Sequence, residues 1–374
     1  MIYIGMFVSS LIFLCFGMKT QKKAYSKILI FIGLLLPCIL AGLRDVSVGS
    51  DTKAYVLGLF NLAKKSTSMI DFFKLSKAWY GISDYSYLII TYICSTYLKS
   101  INVLFFIFEF LMIFPLYFAV KRISKNNKYS MLTFIFIIYM FFYNSSLNMT
   151  RQSIAIAFIL LSFSYVVENY KNRKNIFFII LFFLIGCEFH NTALISILVF
   201  ILYFLYDSNK IKKTYKYFIS ILIIILSILF VIFFKNIIWF LGTTNIYSHA
   251  IRFAKVYTIS FDFNTVTLLL NLFIVIFIIY NRKKIMQKNM NYLYGLTLSI
   301  STLILSIIGA FIKYADRITL YGTYILLIYY VSTIIENKKI DLNKIGIVTF
   351  FVFYWIYMIY IYNVNNTLPY IFLK

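Results

Sequence analysis

The stretch KRISKNNKYSMLTFIFIIYMFFYNSSL, residues 121–147, decides the class of this fold. It opens with Lys121, Arg122, Lys125 and Lys128, then runs from Ser130 to Leu147 without a charged residue. A helix needs about 20 mostly apolar residues to cross the hydrocarbon core. Lysines at one end only place that end in the cytoplasm. The same alternation recurs along all 374 residues. Hydrophobic residues make up 62% of the chain and charged ones 13%, far from the roughly 25% charged of a soluble domain. The chain therefore reads as an all-α polytopic membrane protein, a single transmembrane domain over 1–374.

Apolar runs near 2–18, 28–43, 102–120, 130–147, 152–168, 176–190, 192–206, 217–234, 264–280, 292–312, 318–335 and 345–362 predict about 12 transmembrane helices. Six alternate loops (19–27, 121–128, 170–175, 207–216, 281–291 and 336–344) hold 22 of the 36 Lys and Arg residues. The positive-inside rule puts these loops in the cytoplasm and both termini outside. The net charge of +24 then serves topology and contact with anionic lipids, and nucleic acid is not an expected partner. The first 18 residues lack a basic n-region and are followed by lysines, so they read as an uncleaved first helix. Cys15, Cys38, Cys94 and Cys187 form no CxxC pair and read as packing residues.

Residues 44–101 form an outer loop region in this topology. Within it, 85–98 is apolar but too short for a span, which suits a re-entrant or interfacial helix. Residues 56–63 and 69–78 read as interfacial amphipathic segments. Arg44, Arg151, Arg252 and Arg317 all fall on the outer side, against the positive-inside bias. Arg151 and Arg317 open helices predicted from Gln152 and Ile318, whose N-termini point outward. A helix N-terminus is already partly positive, so an arginine there calls for an anion. The planar guanidinium suits phosphate. The competing account is snorkelling to lipid phosphates, or pairing of Arg44 and Arg317 with the adjacent Asp45 and Asp316.

His190 lies just before a predicted helix start, where helix polarity favours a neutral ring able to accept a proton. Glu188 opposes that effect, and a histidine simply bonded to a carbonyl is the plainer alternative. In the polar stretch 44–52, Gly49 permits a tight turn and Asp51 is placed to cap a helix from Thr52. Tyr55 follows one turn later. Glu109 lies at the middle of a span, where it either pairs with a buried arginine or stays protonated. The ligand supply for a metal is thin, with no HxxxH or HExxH spacing, so no metal or cofactor is expected.

Ala41-Gly42-Leu43-Arg44 is followed by Gly49-Ser50-Asp51-Thr52 and Tyr55. Then come Asn148-Met149-Thr150-Arg151-Gln152-Ser153-Ile154-Ala155, Phe189-His190-Asn191-Thr192-Ala193-Leu194 and Asp316-Arg317-Ile318. In this order, and over nearly the whole chain, the sequence resembles the EpsG family of Wzy-like polysaccharide polymerases. Ser50 stands where the family often has Thr, and Asn191 where Lys or another polar residue is common. The tail from about 336 carries no recognisable motif.

The resemblance implies a GT-C-like polymerase or ligase architecture at the outer face of a bacterial plasma membrane. It implies a glycosyltransferase for capsular or exopolysaccharide. Oligosaccharide repeat units carried on undecaprenyl pyrophosphate would be joined by metal-independent, inverting-type transfer. Membrane lipids, and a chain-length regulator or flippase, are the implied partners. On this reading Arg44, Arg151 and Arg317 stabilise the departing pyrophosphate, with Arg252 a fourth candidate. His190 is the first choice of general base and Asp51 the second. Tyr55, Gln152 and Asn148 orient sugar or phosphate. The rival readings are a polysaccharide flippase, a membrane acyltransferase and an O-antigen-type ligase.

Overall fold

The computed structural model of the chain describes residues 2–243, 265–310, 315–335 and 341–373. Its main helices, in chain order, begin with α1 (Ile2–Lys19), α2 (Lys23–Gly42), α3 (Leu57–Lys65), α4 (Met69–Tyr80) and α5 (Tyr85–Thr96). They continue with α6 (Ile101–Ile123), α7 (Lys128–Ser146), α8 (Thr150–Asn169), α9 (Arg173–Phe189) and α10 (Ser196–Asp207). Last come α11 (Lys213–Thr243), α12 (Thr265–Tyr280), α13 (Tyr292–Ser306), α14 (Leu320–Leu326) and α15 (Leu342–Ile361). Every predicted apolar run is helical where it is described. Eight helices are long and apolar enough to cross a membrane unaided: α1, α2, α6, α7, α8, α11, α13 and α15. The other predicted spans are shorter or broken. α9 has 17 residues and α12 has 16, while α14 lies between a 3-10 turn and a π turn. The chain is an all-α polytopic membrane protein.

Two compact units divide it. The first is Met1–Leu194 with Ile335–Lys374, and the second is Ile195–Ile334. In the first unit α8 lies between α6 and α9, and α2 packs on both α1 and α6. Small residues allow this closeness. A Cβ on Gly186 of α9 would sit 3.1 Å from Ile159 and 3.2 Å from the Ala155 carbonyl of α8, an approach that favours dispersion contact in lipid. Phe189 stacks parallel on Phe158 at 6.0 Å, fixing the end of α9 against α8.

Pro37 inside α2 shows how the interior handles a broken ladder. Proline has no N–H, so the Gly33 carbonyl loses its helical donor. Ser10 of α1 donates its hydroxyl to that carbonyl at 2.6 Å. An unmet carbonyl in hydrocarbon costs several kcal/mol, roughly, so Ser10 holds α1 and α2 together there. The outer loop region carries α3, α4 and α5. α4 is capped by Ser68, which accepts from the Asp71 N–H, and ends on Gly81 in the left-handed region. α5 has 12 residues, too few for a span.

In the second unit α13 packs against α11 and α12. Hydroxyls of Tyr206, Ser220 and Thr297 bond to one another there.

Candidate active site

The residues singled out in the first unit gather at one end of its helices. Arg44 follows α2 and is 1% exposed. Its Nη1 donates to the Leu147 carbonyl at 2.6 Å, and its Cζ lies 4.3 Å from the centre of the Phe105 ring. Burial pushes the Arg44 pKa down and Glu109 works against that; a guanidinium stays charged all the same. Glu109 is buried and accepts from the Ser146 hydroxyl at 3.2 Å through each oxygen. Arg44 and Glu109 act on each other through charge, and no ion pair joins the two.

Asp45 does not answer Arg44. It is half-buried and accepts from the Ser47 N–H at 2.9 Å, and hydrogen bonds from Ser47 hold its carboxyl below the usual range. Gly49 adopts φ +96°, and a Cβ there would lie 2.8 Å from Thr52 Oγ1 and 3.1 Å from the Leu147 carbonyl. The sequence reading of Asp51 as a helix cap needs correction. Asp51 occupies the cap position of the π turn Thr52–Val56, yet its side chain makes no capping bond and its backbone is already helical. Its N–H instead donates to Asn148 Oδ1 at 2.7 Å. Ser50 Oγ reaches the same oxygen at 3.2 Å, and Thr52 Oγ1 donates to the Leu147 carbonyl at 3.1 Å. The two motifs, 97 residues apart at Asp51 and Asn148, are thus one hydrogen-bonded corner.

A third strand of chain joins them. The tail after α15 runs antiparallel to the Arg44 loop, with a bridge between Arg44 and Phe372. Asp45 N–H donates to the Ile371 carbonyl at 2.8 Å and Leu373 N–H to the Leu43 carbonyl at 3.0 Å. Gly49 and Ser50 N–H groups donate to the carbonyls of Asn366 and Asn365. Asn148 Nδ2 donates to Asn365 Oδ1 at 3.2 Å, and Tyr3 of α1 donates to the Thr367 carbonyl at 2.8 Å. The segment without a motif thus bonds to both the Arg44 loop and Asn148.

Arg151 lies in the first turn of α8, one residue inside its start at Thr150. It pairs with Asp84, which sits just before α5 and is 5% exposed. The Arg151 side chain remains 28% exposed. The anion demanded by a cation at a helix N-terminus is therefore supplied within the chain. Burial pushes the Asp84 carboxyl above its ordinary value, Arg151 pulls it back, and Glu188 adds a smaller upward push. Tyr87 of α5 lies beneath Arg151, its ring centre 5.8 Å from Cζ, and stacks on Phe108 at 4.6 Å.

His190 follows α9 in an extended conformation. Its Nδ1 accepts from the Thr192 N–H at 3.2 Å, with the Thr192 hydroxyl at 2.9 Å. In a neutral ring that assignment puts the proton on Nε2. Gln152 is buried in the first turn of α8. Tyr55 is 43% exposed and meets Tyr80 edge to face at 6.4 Å.

Arg317 belongs to the second unit, half-buried in the 3-10 turn Ala315–Thr319. Beside it Asp316 accepts from Thr267 Oγ1 at 2.6 Å and packs on Gly309, where a Cβ would lie 2.7 Å away. Arg252 lies outside the described residues. No group of three or more His, Cys, Asp or Glu side chains suited to a metal occurs among the described residues.

The EpsG family profile matches residues 2–372. The chain belongs to the EpsG family. Its members are Wzy-type polymerases, so this chain is a membrane protein of polysaccharide biosynthesis. No curated protein and no solved structure matches it. Within this EpsG chain, sequence reasoning missed Asp84 and the tail. The available signals were an acid placed directly before a short buried helix, and the cluster Asn363, Asn365 and Asn366.

Proposed function

We propose that this protein polymerises oligosaccharide repeat units carried on undecaprenyl pyrophosphate, at the outer face of a bacterial plasma membrane, without a metal ion. The observation that carries the reading is the half-exposed Arg151 guanidinium at the N-terminus of α8, held by Asp84 beside the corner formed by Asp51 and Asn148. In the reaction an acceptor sugar hydroxyl bonds to the anomeric carbon of the donor. The bond from that carbon to the pyrophosphate oxygen breaks, and the acceptor proton passes to a base. Negative charge grows on the leaving pyrophosphate, which Arg151 and the N–H groups of α8 favour.

Arg44, committed to Leu147 and Phe105, serves as a positioning residue that fixes the turn before Arg151. The Thr192 contact holds His190 with its proton on Nε2, which favours Asp51 as base and leaves His190 to donate to a sugar or phosphate oxygen. Tyr55, Gln152 and Asn148 line the approach. Lipid-linked repeats from a strain lacking the gene test the whole. Single outward-facing units without polymer agree with polymerisation. Units trapped on the inner leaflet make the protein a flippase, and normal polymer that is not passed on makes it a ligase.

A further inference from the structure

At the opposite end of the first unit, α6, α8 and α9 border an open cleft of about 490 Å³. Two of the lysine-rich loops, 121–128 and 170–175, meet there. Arg122 lies flat on Tyr165, with Cζ 3.6 Å from the ring centre. One of its nitrogens pairs with Glu168, while its Nε is buried without a hydrogen-bond partner. Glu168 also accepts from Asn175 Nδ2 at 3.3 Å, so its charge is taken up inside the cleft. What is left is positive: Lys174 lines the cleft, and Lys121, Lys171 and Arg173, all exposed, adjoin its lining residues in sequence. Along α9 from the cleft, Ile176, Phe177, Ile180 and Leu184 are exposed too. On a membrane helix such a face meets acyl chains.

We propose that this cleft binds the phosphate headgroup of an anionic phospholipid, whose acyl chains lie along the exposed face of α9. A phosphodiester suits the partly exposed Arg122 guanidinium and the surrounding ammonium groups. The adjoining apolar face selects an amphiphile, because a free anion gains nothing from it. This site lies at the other helix ends from Arg151 and does not depend on the polymerase reading.

The test uses the purified, delipidated full chain in detergent, titrated with phosphatidylglycerol, with phosphatidylcholine of the same acyl chains, and with inorganic phosphate. Native mass spectrometry counts bound lipid and a thermal melt reports stabilisation. We expect phosphatidylglycerol to bind at least about tenfold tighter than phosphatidylcholine, with roughly fivefold lost per lysine in Lys171→Gln and Lys174→Gln. Those side chains are exposed, so the variants keep the fold even where Arg122→Gln does not. Equal affinity for the two lipids, or a preference that both lysine variants retain, overturns the assignment. So does equal stabilisation by inorganic phosphate alone, which makes the cleft a site for a soluble anion, or by an acidic phosphopeptide added as a control.

Discussion

Asp84 reaches Arg151 across 67 residues of sequence and closes on it at the start of α8. The pair decides what the arginine can do. An unopposed guanidinium at a helix N-terminus repels the N–H dipoles around it, whereas one balanced by a buried carboxylate keeps a fixed direction. Asp84→Asn keeps the shape and removes that balance. Polymer formation is expected to fall by about tenfold or more, as for a misplaced transition-state group, with membrane levels of the protein preserved. Arg151→Lys is expected to lose at least as much, since the charge stays and the fork geometry goes. A polymer ladder unchanged in both variants removes Arg151 from the reaction.

The same carboxylate predicts a pH effect. Burial raises the folded pKa of Asp84 above its ordinary 3.8. The folded state therefore binds the proton more tightly than the unfolded chain, and stability drops as pH rises from about 3.8 through the raised value. Asp84→Asn has no such proton. The melting temperature of the wild type, measured against Asp84→Asn, should rise as pH is lowered from 7 towards 4. A constant difference between the two proteins contradicts the burial effect.

Arg44 and Glu109 lend themselves to a double-mutant cycle. Arg44→Gln removes the buried cation whose charge acts on Glu109, and is expected to lower stability. Arg44→Gln with Glu109→Gln removes both charges, and should be less destabilised than the sum of the single changes. Thermal melts of the four proteins give the coupling directly, and strict additivity separates the two residues.

Legibility in the sequence followed distance along the chain. Apolar runs report on themselves, so the described parts of the predicted runs are largely helical, eight of them as spans, and the short stretch near 85–98 is the short α5. Pairing partners are another matter. Asp45 lies next to Arg44 and was the natural candidate, but its own turn claims it through Ser47. The partner of Arg151 lies before α5, in a region where sequence periodicity says nothing of depth. Glu109 could be marked as unusual because an acid in hydrocarbon always is; that Ser146 would serve it required the packing of α6 on its neighbours. Apolar length also does not show that the run holding α14 passes from a 3-10 turn through an α-helix to a π turn.

Asn148 tests the joint between the two motifs. Asn148→Ala deletes two accepted bonds and one donated bond at a buried position. Leaving the Asp51 N–H unmet costs about 1–3 kcal/mol, and a comparable loss of stability is expected in a thermal melt. Gly49→Ala should cost about 1–3 kcal/mol as well, since its backbone is left-handed and its space is taken. A stable Gly49→Ala protein would mean that the corner can rearrange.

The choice of base separates by substitution. Asp51→Asn is expected to lower the rate by about 10²-fold or more, the usual worth of a general base. His190→Gln, which keeps a donor, should retain more activity than His190→Ala. If His190→Gln and His190→Ala are equally dead while Asp51→Asn is active, the base is His190.

The tail has a consequence in time. Residues 365–373 supply backbone partners to the loop that begins at Leu43, and α15 returns to a unit that the chain left at Leu194. During synthesis the ribosome makes the loop before the second unit and its partners after it. The corner that holds Asp51 and Asn148 thus gains its bonds to the tail only after the second unit has been made. A chain that stops before residue 365 carries every motif and still lacks the backbone partners of its Leu43–Ser50 loop.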